Sequence, residues 1–142
     1  MTLILRPAAP GDFPGILEIE QEAFSDGPWV AEDFTGDDCT VAVVDGRIVG
    51  FLVSRQTFPA AEGARAEREI LNLAVRKIYR GRSIAKALLQ HELERRAVHF
   101  LEVRESNVVA RRLYRQMGFE EVGRRPEYYD SPVETAIVMR MK

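Results

Sequence analysis

Apolar residues along the chain fall partly in short continuous runs and partly at helical spacing, and together they predict a mixed order of strands and helices. Leu3 to Arg6 reads as a short first strand. Asp12 is placed to cap a helix with Phe13, Ile16, Leu17 and Phe24 on its apolar face, and Pro14 is tolerated in the first turn. Ser25-Asp26-Gly27-Pro28 breaks that helix, and a second short helix is expected over Ala31 to Thr35. Thr40 to Asp45 and Arg47 to Ser54 read as a hairpin around Asp45-Gly46, the strongest short-range turn signal in the chain. Phe58 to Ala66 reads as a polar surface loop, and Glu69 to Val75 as the next strand. A helix over Ser83 to Arg96, a strand over Val98 to Val103 and a helix over Asn107 to Met117 follow, the last stopped by Gly118. Phe119 to Gly123 and Glu134 to Met141 are expected to close the sheet. No repeat, linker or low-complexity tract interrupts the order, so the expected architecture is a single α/β domain with a mixed sheet over residues 1–142.

One turn in this pattern carries chemistry. The apolar strand Leu71-Asn72-Leu73-Ala74-Val75 runs into Tyr79-Arg80-Gly81-Arg82-Ser83, which opens a helix at Ile84-Ala85-Lys86. A helix start holds unpaired N–H groups and the positive end of the helix dipole. Small residues admit a phosphate to those groups, and Arg80 and Arg82 add charge-assisted hydrogen bonds. The segment reads as an anion site suited to a pyrophosphate; the plain alternative is a connector with two solvated arginines. No Gly-x-x-x-x-Gly-Lys-Ser/Thr is present, which excludes a P-loop, and a turn holding only Gly81 does not make a dinucleotide-binding fingerprint.

Composition narrows the classes further. Hydrophobic residues at 46 % and charged residues at 30 % are globular values, and 142 residues suffice for a core without staples. A net charge of −2 gives no overall drive toward nucleic acid or anionic membrane. The single Cys39 rules out an internal disulfide, and no metal site is expected; both suit a reducing cytoplasm. Met1 to Leu5 is too short for a signal peptide, and no apolar run reaches bilayer length. His91 and His99 stand alone and are assigned surface or packing roles.

A second stretch, Leu101-Glu102-Val103-Arg104-Glu105-Ser106-Asn107, leads into Ala110-Arg111-Arg112-Leu113-Tyr114 and Met117-Gly118-Phe119. Leu101 and Val103 share one face of the strand and Glu102 points to the other. Ser106 or Asn107 is placed to cap the helix that carries Tyr114. The turn at Arg80 to Ala85 resembles the acyl-CoA pyrophosphate loop of the GCN5-related N-acetyltransferases, Arg/Gln-x-x-Gly-x-Gly/Ala. The Asn-x-x-Ala-x-x-Leu-Tyr-x-x-x-Gly-Phe pattern resembles the far half of the same fold. Ile19-Glu20-Gln21, Phe24, Pro28-Trp29, Leu101 to Arg104 and Arg125-Pro126-Glu127-Tyr128-Tyr129 make nearly the whole chain similar to the bacterial ribosomal-protein-alanine N-acetyltransferases (RimI-like).

The resemblance implies a mixed sheet flanked by helices, whose splayed central strands bind acetyl-CoA as acetyl donor. It assigns the cofactor's amides to the backbone of Leu73, Ala74 and Val75, and its pyrophosphate to Gly81, Arg82, Ser83, Ile84, Ala85 and Lys86 with Arg80 nearby. Asn107 either bonds the pantetheine end or caps its helix. Acetyl transfer needs a group that takes the proton of the amine and one that protonates the departing thiolate; the resemblance gives these tasks to Glu102 and Tyr114. By residue type alone Glu102 could be a solvated side chain and Tyr114 a packing aromatic. Glu69 is a rival base, because histone-type members of the superfamily carry theirs there. Two departures stand out: Ser83 replaces the family's glycine, and Arg76-Lys77-Ile78 adds positive charge beside the loop. Trp29, Phe34 and Tyr128-Tyr129 are candidates to line the acceptor groove, and Glu20 or Asp26 to receive a basic substrate. The expected acceptor is the N-terminal alanine amine of a small-subunit ribosomal protein. A lysine side chain or small amine, and a non-catalytic CoA-binding regulator, are the alternatives. No nucleic-acid or membrane partner is expected, and a monomer is.

Overall fold

In the computed structural model, residues 2–23, 38–57, 65–130 and 132–141 are described. The expected helix over Ala31 to Thr35, and Phe24, Asp26, Trp29 and Phe34, lie outside them. The elements are β1 (Leu3–Pro7), a 3-10 turn (Pro10–Asp12), α1 (Phe13–Ala23), β2 (Asp38–Val44), β3 (Arg47–Thr57), β4 (Glu67–Val75), a second 3-10 turn (Lys77–Tyr79), α2 (Ile84–Leu93), β5 (Val98–Arg104), α3 (Val108–Gln116), β6 (Glu120–Tyr129) and β7 (Glu134–Met141). The strands of the mixed sheet follow the order β1-β2-β3-β4-β5-β7-β6. The pairs β1–β2, β2–β3, β5–β7 and β7–β6 are antiparallel, and β4 and β5 run parallel with Glu67–Ile70 opposite Val98–Leu101. Two compact units divide the chain, residues 1–55 with 72–94 and residues 56–71 with 95–142, so β4 contributes its first half to one and its second half to the other.

In the first unit, β2 and β3 are buried almost without a break from Thr40 to Val44 and from Val49 to Ser54. Such strands are covered on both faces, which is why Val41-Ala42-Val43-Val44 is continuous rather than alternating. Asp45 and Gly46 both have positive φ (50° and 77°), as a two-residue hairpin of the primed type requires. Ile16 and Ile19 of α1 and Ile84, Leu88 and Leu89 of α2 are fully buried, completing this core. Asp12 departs from the expected cap. It sits three residues after Ala9 and accepts that residue's N–H at 2.7 Å, while Arg6 grips the same carboxylate at 2.7 and 3.0 Å. That guanidinium holds the Asp12 carboxyl below the usual range.

α1 is also bound to the end of β4 and the chain after it by three acidic side chains. Asn72 Nδ2 donates to Glu20 Oε2 at 2.6 Å, Arg76 Nη1 meets Glu18 Oε1 at 2.9 Å, and the Lys77 N–H donates to the Glu22 carboxylate. Glu20 is only 2 % exposed, so it is no seat for a basic substrate.

In the second unit, Leu101 and Val103 of β5 pack with Ala136, Ile137 and Met139 of β7 among the buried side chains. α3 stops at Gly118, whose φ of +106° few side chains tolerate. The Phe119 N–H reaches the Tyr114 carbonyl at 2.9 Å and the Gly118 N–H the Arg115 carbonyl at 3.0 Å. These are the two bonds of a Schellman motif, and its usual apolar contact is the Phe119 ring edge-on to Tyr114 at 5.8 Å. Several expected boundaries move: β2 and β4 begin two residues early, at Asp38 and Glu67, and β3 runs on to Thr57. α2 ends at Leu93 rather than Arg96, because Glu94, Arg95 and Arg96 are exposed and no apolar position continues the face. β6 runs six residues past Gly123, since its pairing with β7 survives Pro126 by shifting register between Arg125 and Tyr129.

Gly118→Ala is expected to destabilise the protein by about 1–2 kcal/mol, the cost of a left-handed backbone on an L-residue. Urea unfolding at equal slope checks it.

Candidate active site

The first unit carries the loop expected to hold an anion. Ala74 and Val75 are buried and Leu73 half-buried, and all three lie past Ile70, where the ladder between β4 and β5 ends. Arg80 Nε donates to the Val75 carbonyl at 3.2 Å, folding the loop back onto the end of β4, and the Arg82 guanidinium lies 5.2 Å from the centre of the Tyr79 ring. Residues 80 to 83 are exposed, and nothing lies within 4 Å of the Cβ position of Gly81. The first intrahelical bond of α2 runs from the Ala87 N–H to the Ser83 carbonyl, at 3.0 Å. The N–H groups of Ile84, Ala85 and Lys86 are therefore donors that the helix itself does not use. Exposed arginines, open space over Gly81 and these donors fit a pyrophosphate.

Ser83 explains its own oddity. Its φ of 61° and ψ of 21° are left-handed, the conformation in which glycine is cheapest, and its side chain makes no capping bond. Arg76, by contrast, adds no charge to the loop. It is 6 % exposed, donates from Nε to the Ile48 carbonyl at 2.7 Å and is paired with Glu18.

The second unit carries the residues expected to do acid–base work. Glu102 extends from β5 with its side chain 11 % exposed; Arg125 Nη2 lies 3.4 Å from Oε1, and among the described residues the buried Oε2 has no hydrogen-bond partner. Tyr114 is buried in α3, and burial, then the neighbouring Tyr129, pushes its phenol up to about 12. Asn107 caps α3, its side chain accepting the Ala110 N–H at 3.1 Å. Glu69 stands opposite Phe100 in register, so it shares the face of Phe100 and Glu102. His99 is buried and His91 half-buried.

Tyr128 and Tyr129 are the surprise. Consecutive strand residues normally face opposite ways. Here the register shift after Arg125, with Glu127 at φ 55°, brings both phenols under the influence of Glu102. Their rings meet edge-on at 5.0 Å. Burial, then Glu102, raises Tyr128, and the same two causes push Tyr129 up to about 12. Proline inside a strand pattern is the sequence signal for such a bulge; nothing in the pattern signals that it gathers both rings.

Residues 5–119 match the acetyltransferase (GNAT) family. The chain belongs to that family, and its mixed sheet with three helices is the GNAT fold. It is 32 % identical to an uncharacterised N-acetyltransferase of Methanocaldococcus jannaschii, over 99 % of this chain and 92 % of that one. It is also 32 % identical to the ribosomal protein bS18-alanine N-acetyltransferase of Escherichia coli, over 92 % of this chain and 90 % of that one. The crystal structure of the E. coli ribosomal-protein-S18-alanine N-acetyltransferase superposes with a TM-score of 0.84 at 26 % identity, covering 99 % and 93 % of the two chains. That of Arabidopsis thaliana NAA60 in complex with acetyl-CoA gives 0.85 at 25 % identity, covering 98 % of each. The protein is an N-acetyltransferase with acetyl-CoA as its donor.

Ser83→Gly is expected to stabilise the protein by about 0.5–1 kcal/mol, relief of left-handed strain outweighing glycine's entropy, while Ser83→Val costs more than 1 kcal/mol. Chemical denaturation of both variants checks this. Because the Tyr114 phenol holds its proton up to about pH 12, its ionisation contributes no fall in kcat between pH 7 and 10. An alkaline limb in that range that Tyr114→Phe removes would contradict this.

Proposed function

We propose that this chain transfers the acetyl group of acetyl-CoA to the N-terminal alanine amine of a small-subunit ribosomal protein, with Glu102 as base and Tyr114 as acid. The observation that carries the reading is the orphan oxygen of Glu102. A buried carboxylate oxygen without a donor costs about 1–3 kcal/mol, and native proteins keep such groups for a reason. An acceptor amine is a donor of the missing kind. Similarity to the bS18-alanine N-acetyltransferase of E. coli over 92 % of the chain supports alanine as the first residue to test.

In this reading bound acetyl-CoA would supply the thioester carbonyl as electrophile and, once its acetyl group is transferred, CoA would be the leaving thiol. Leu73, Ala74 and Val75 bind it through backbone groups, and Arg80, Gly81, Arg82, Ser83, Ile84, Ala85 and Lys86 hold its phosphates. Asn107, its amide oxygen committed to capping α3, retains only its Nδ2 hydrogens for the ligand. Glu102 takes a proton from the acceptor ammonium, which frees the nitrogen lone pair for attack. Tyr114 gives its proton to the sulfur that departs. Tyr128 and Tyr129 flank the peptide. The residues 1–142 act as one acetyltransferase domain, in the cytoplasm, where ribosomal proteins present their amino termini.

Intact-mass spectrometry of two peptides, one beginning with free alanine and one N-terminally blocked with a single internal lysine, tests the acceptor. Acetylation of the first alone is expected, and acetylation of the second alone moves the activity to lysine. Glu102→Gln is expected to lower turnover at least tenfold with CoA affinity unchanged. If Glu69→Gln alone has that effect, Glu69 is the base.

A further inference from the structure

Arg104 follows Glu102 by two residues on β5, so the two side chains leave the same face of the sheet. Its guanidinium is shared among four groups of the β6–β7 connection. Nη2 donates to the Asp130 carbonyl at 3.0 Å, and Nη1 donates to the Pro132 carbonyl at 3.0 Å and meets Glu134 Oε1 at 3.3 Å. Cζ lies 4.4 Å from the centre of the Tyr129 ring, within cation–π range. Glu134 also accepts the Ser106 N–H through Oε2 at 2.5 Å, so the same cluster reaches the start of α3. Both ties hold the Glu134 carboxyl below the usual range, Ser106 more strongly than Arg104.

The ring that Arg104 covers is electrostatically coupled to both proposed catalytic groups. Tyr129 feels the Glu102 charge, and Tyr114 feels Tyr129. A tyrosine at the end of a strand would ordinarily follow the turn beside it. Here one planar cation fixes the turn's carbonyls and the ring at once. Arginine can do this because its five donors lie in a rigid plane that also stacks; lysine offers a point charge on a flexible stem.

We propose that Arg104 is a positioning residue, holding the β6–β7 turn and the Tyr129 ring beside Glu102 and thereby setting the affinity for the first residue of the acceptor. The proposal rests on the acceptor reading above, but its geometry can be tested without an acceptor. Arg104→Lys is expected to raise KM for the alanine peptide at least tenfold, with kcat changed less than threefold and CoA affinity unchanged. In a double-mutant cycle, Arg104→Lys is expected to add nothing to the KM of Tyr129→Ala. Hydrogen exchange over 130–134 is expected to quicken at least tenfold while β5 keeps its protection. An unchanged KM, losses that multiply in the double variant, or a fall in CoA affinity in step with activity overturns it. If the wild-type protein acetylates neither peptide, the acceptor reading fails, and the exchange measurement alone decides whether Arg104 holds the turn. Arg104→Gln, which keeps one planar donor, replaces the lysine variant if that variant does not fold, with the same outcomes.

Discussion

The bond between Asn72 and Glu20 is the constraint on which the cofactor side of this protein depends. It is short at 2.6 Å, buried, and joins the middle of α1 to the residue just before the expected CoA-binding edge. A buried polar pair of this kind is stable only while both members are satisfied, so it admits few alternative placements of either element. Glu18 and Glu22, two residues to either side, extend the same attachment to Arg76 and Lys77. α1 thus fixes where β4 ends, and the end of β4 fixes where the exposed loop of Arg80 and Arg82 begins.

One local cluster in each unit has a distinct electrostatic character. The loop from Arg80 to Lys86 gathers cations and unused N–H groups and suits a polyanion. The β5, α3 and β6 cluster gathers a carboxylate with one buried oxygen, three phenols and the arginines 104 and 125. Tyr114 is held by the backbone as well as by packing, since one of the two Schellman bonds after α3 closes on its own carbonyl. Arg125 contributes less than its geometry suggests, because its side chain is 59 % exposed and the 3.4 Å contact with Glu102 is screened by water.

Most of this was legible in the sequence where local rules govern. The continuous apolar run of β2, the Asp45-Gly46 turn, the Gly118 stop and the Arg80–Ala85 loop each express one rule acting over a few residues. What was not legible depends on residues far apart in the chain. Glu20 reads as a surface acid until Asn72 is seen against it, and Arg76 as a loop cation until Glu18 is. The extent of β6 was hidden because Pro126 ordinarily ends a strand, whereas here the ladder absorbs it as a bulge. Ser83 could be flagged as a departure from the family's glycine, but only its dihedral angles show that the replacement keeps the glycine's conformation.

The bulge in β6 reaches beyond its own geometry. A strand of fixed alternation offers its designer one lever, the identity of every second residue. At Pro126–Tyr128 the chain has a second lever, its length. Removing or adding one residue there would restore the alternation that the bulge breaks, so that the two tyrosines no longer both lie under the influence of Glu102. The placement of the two rings can therefore be altered by insertion or deletion at a single hairpin, without replacing either tyrosine.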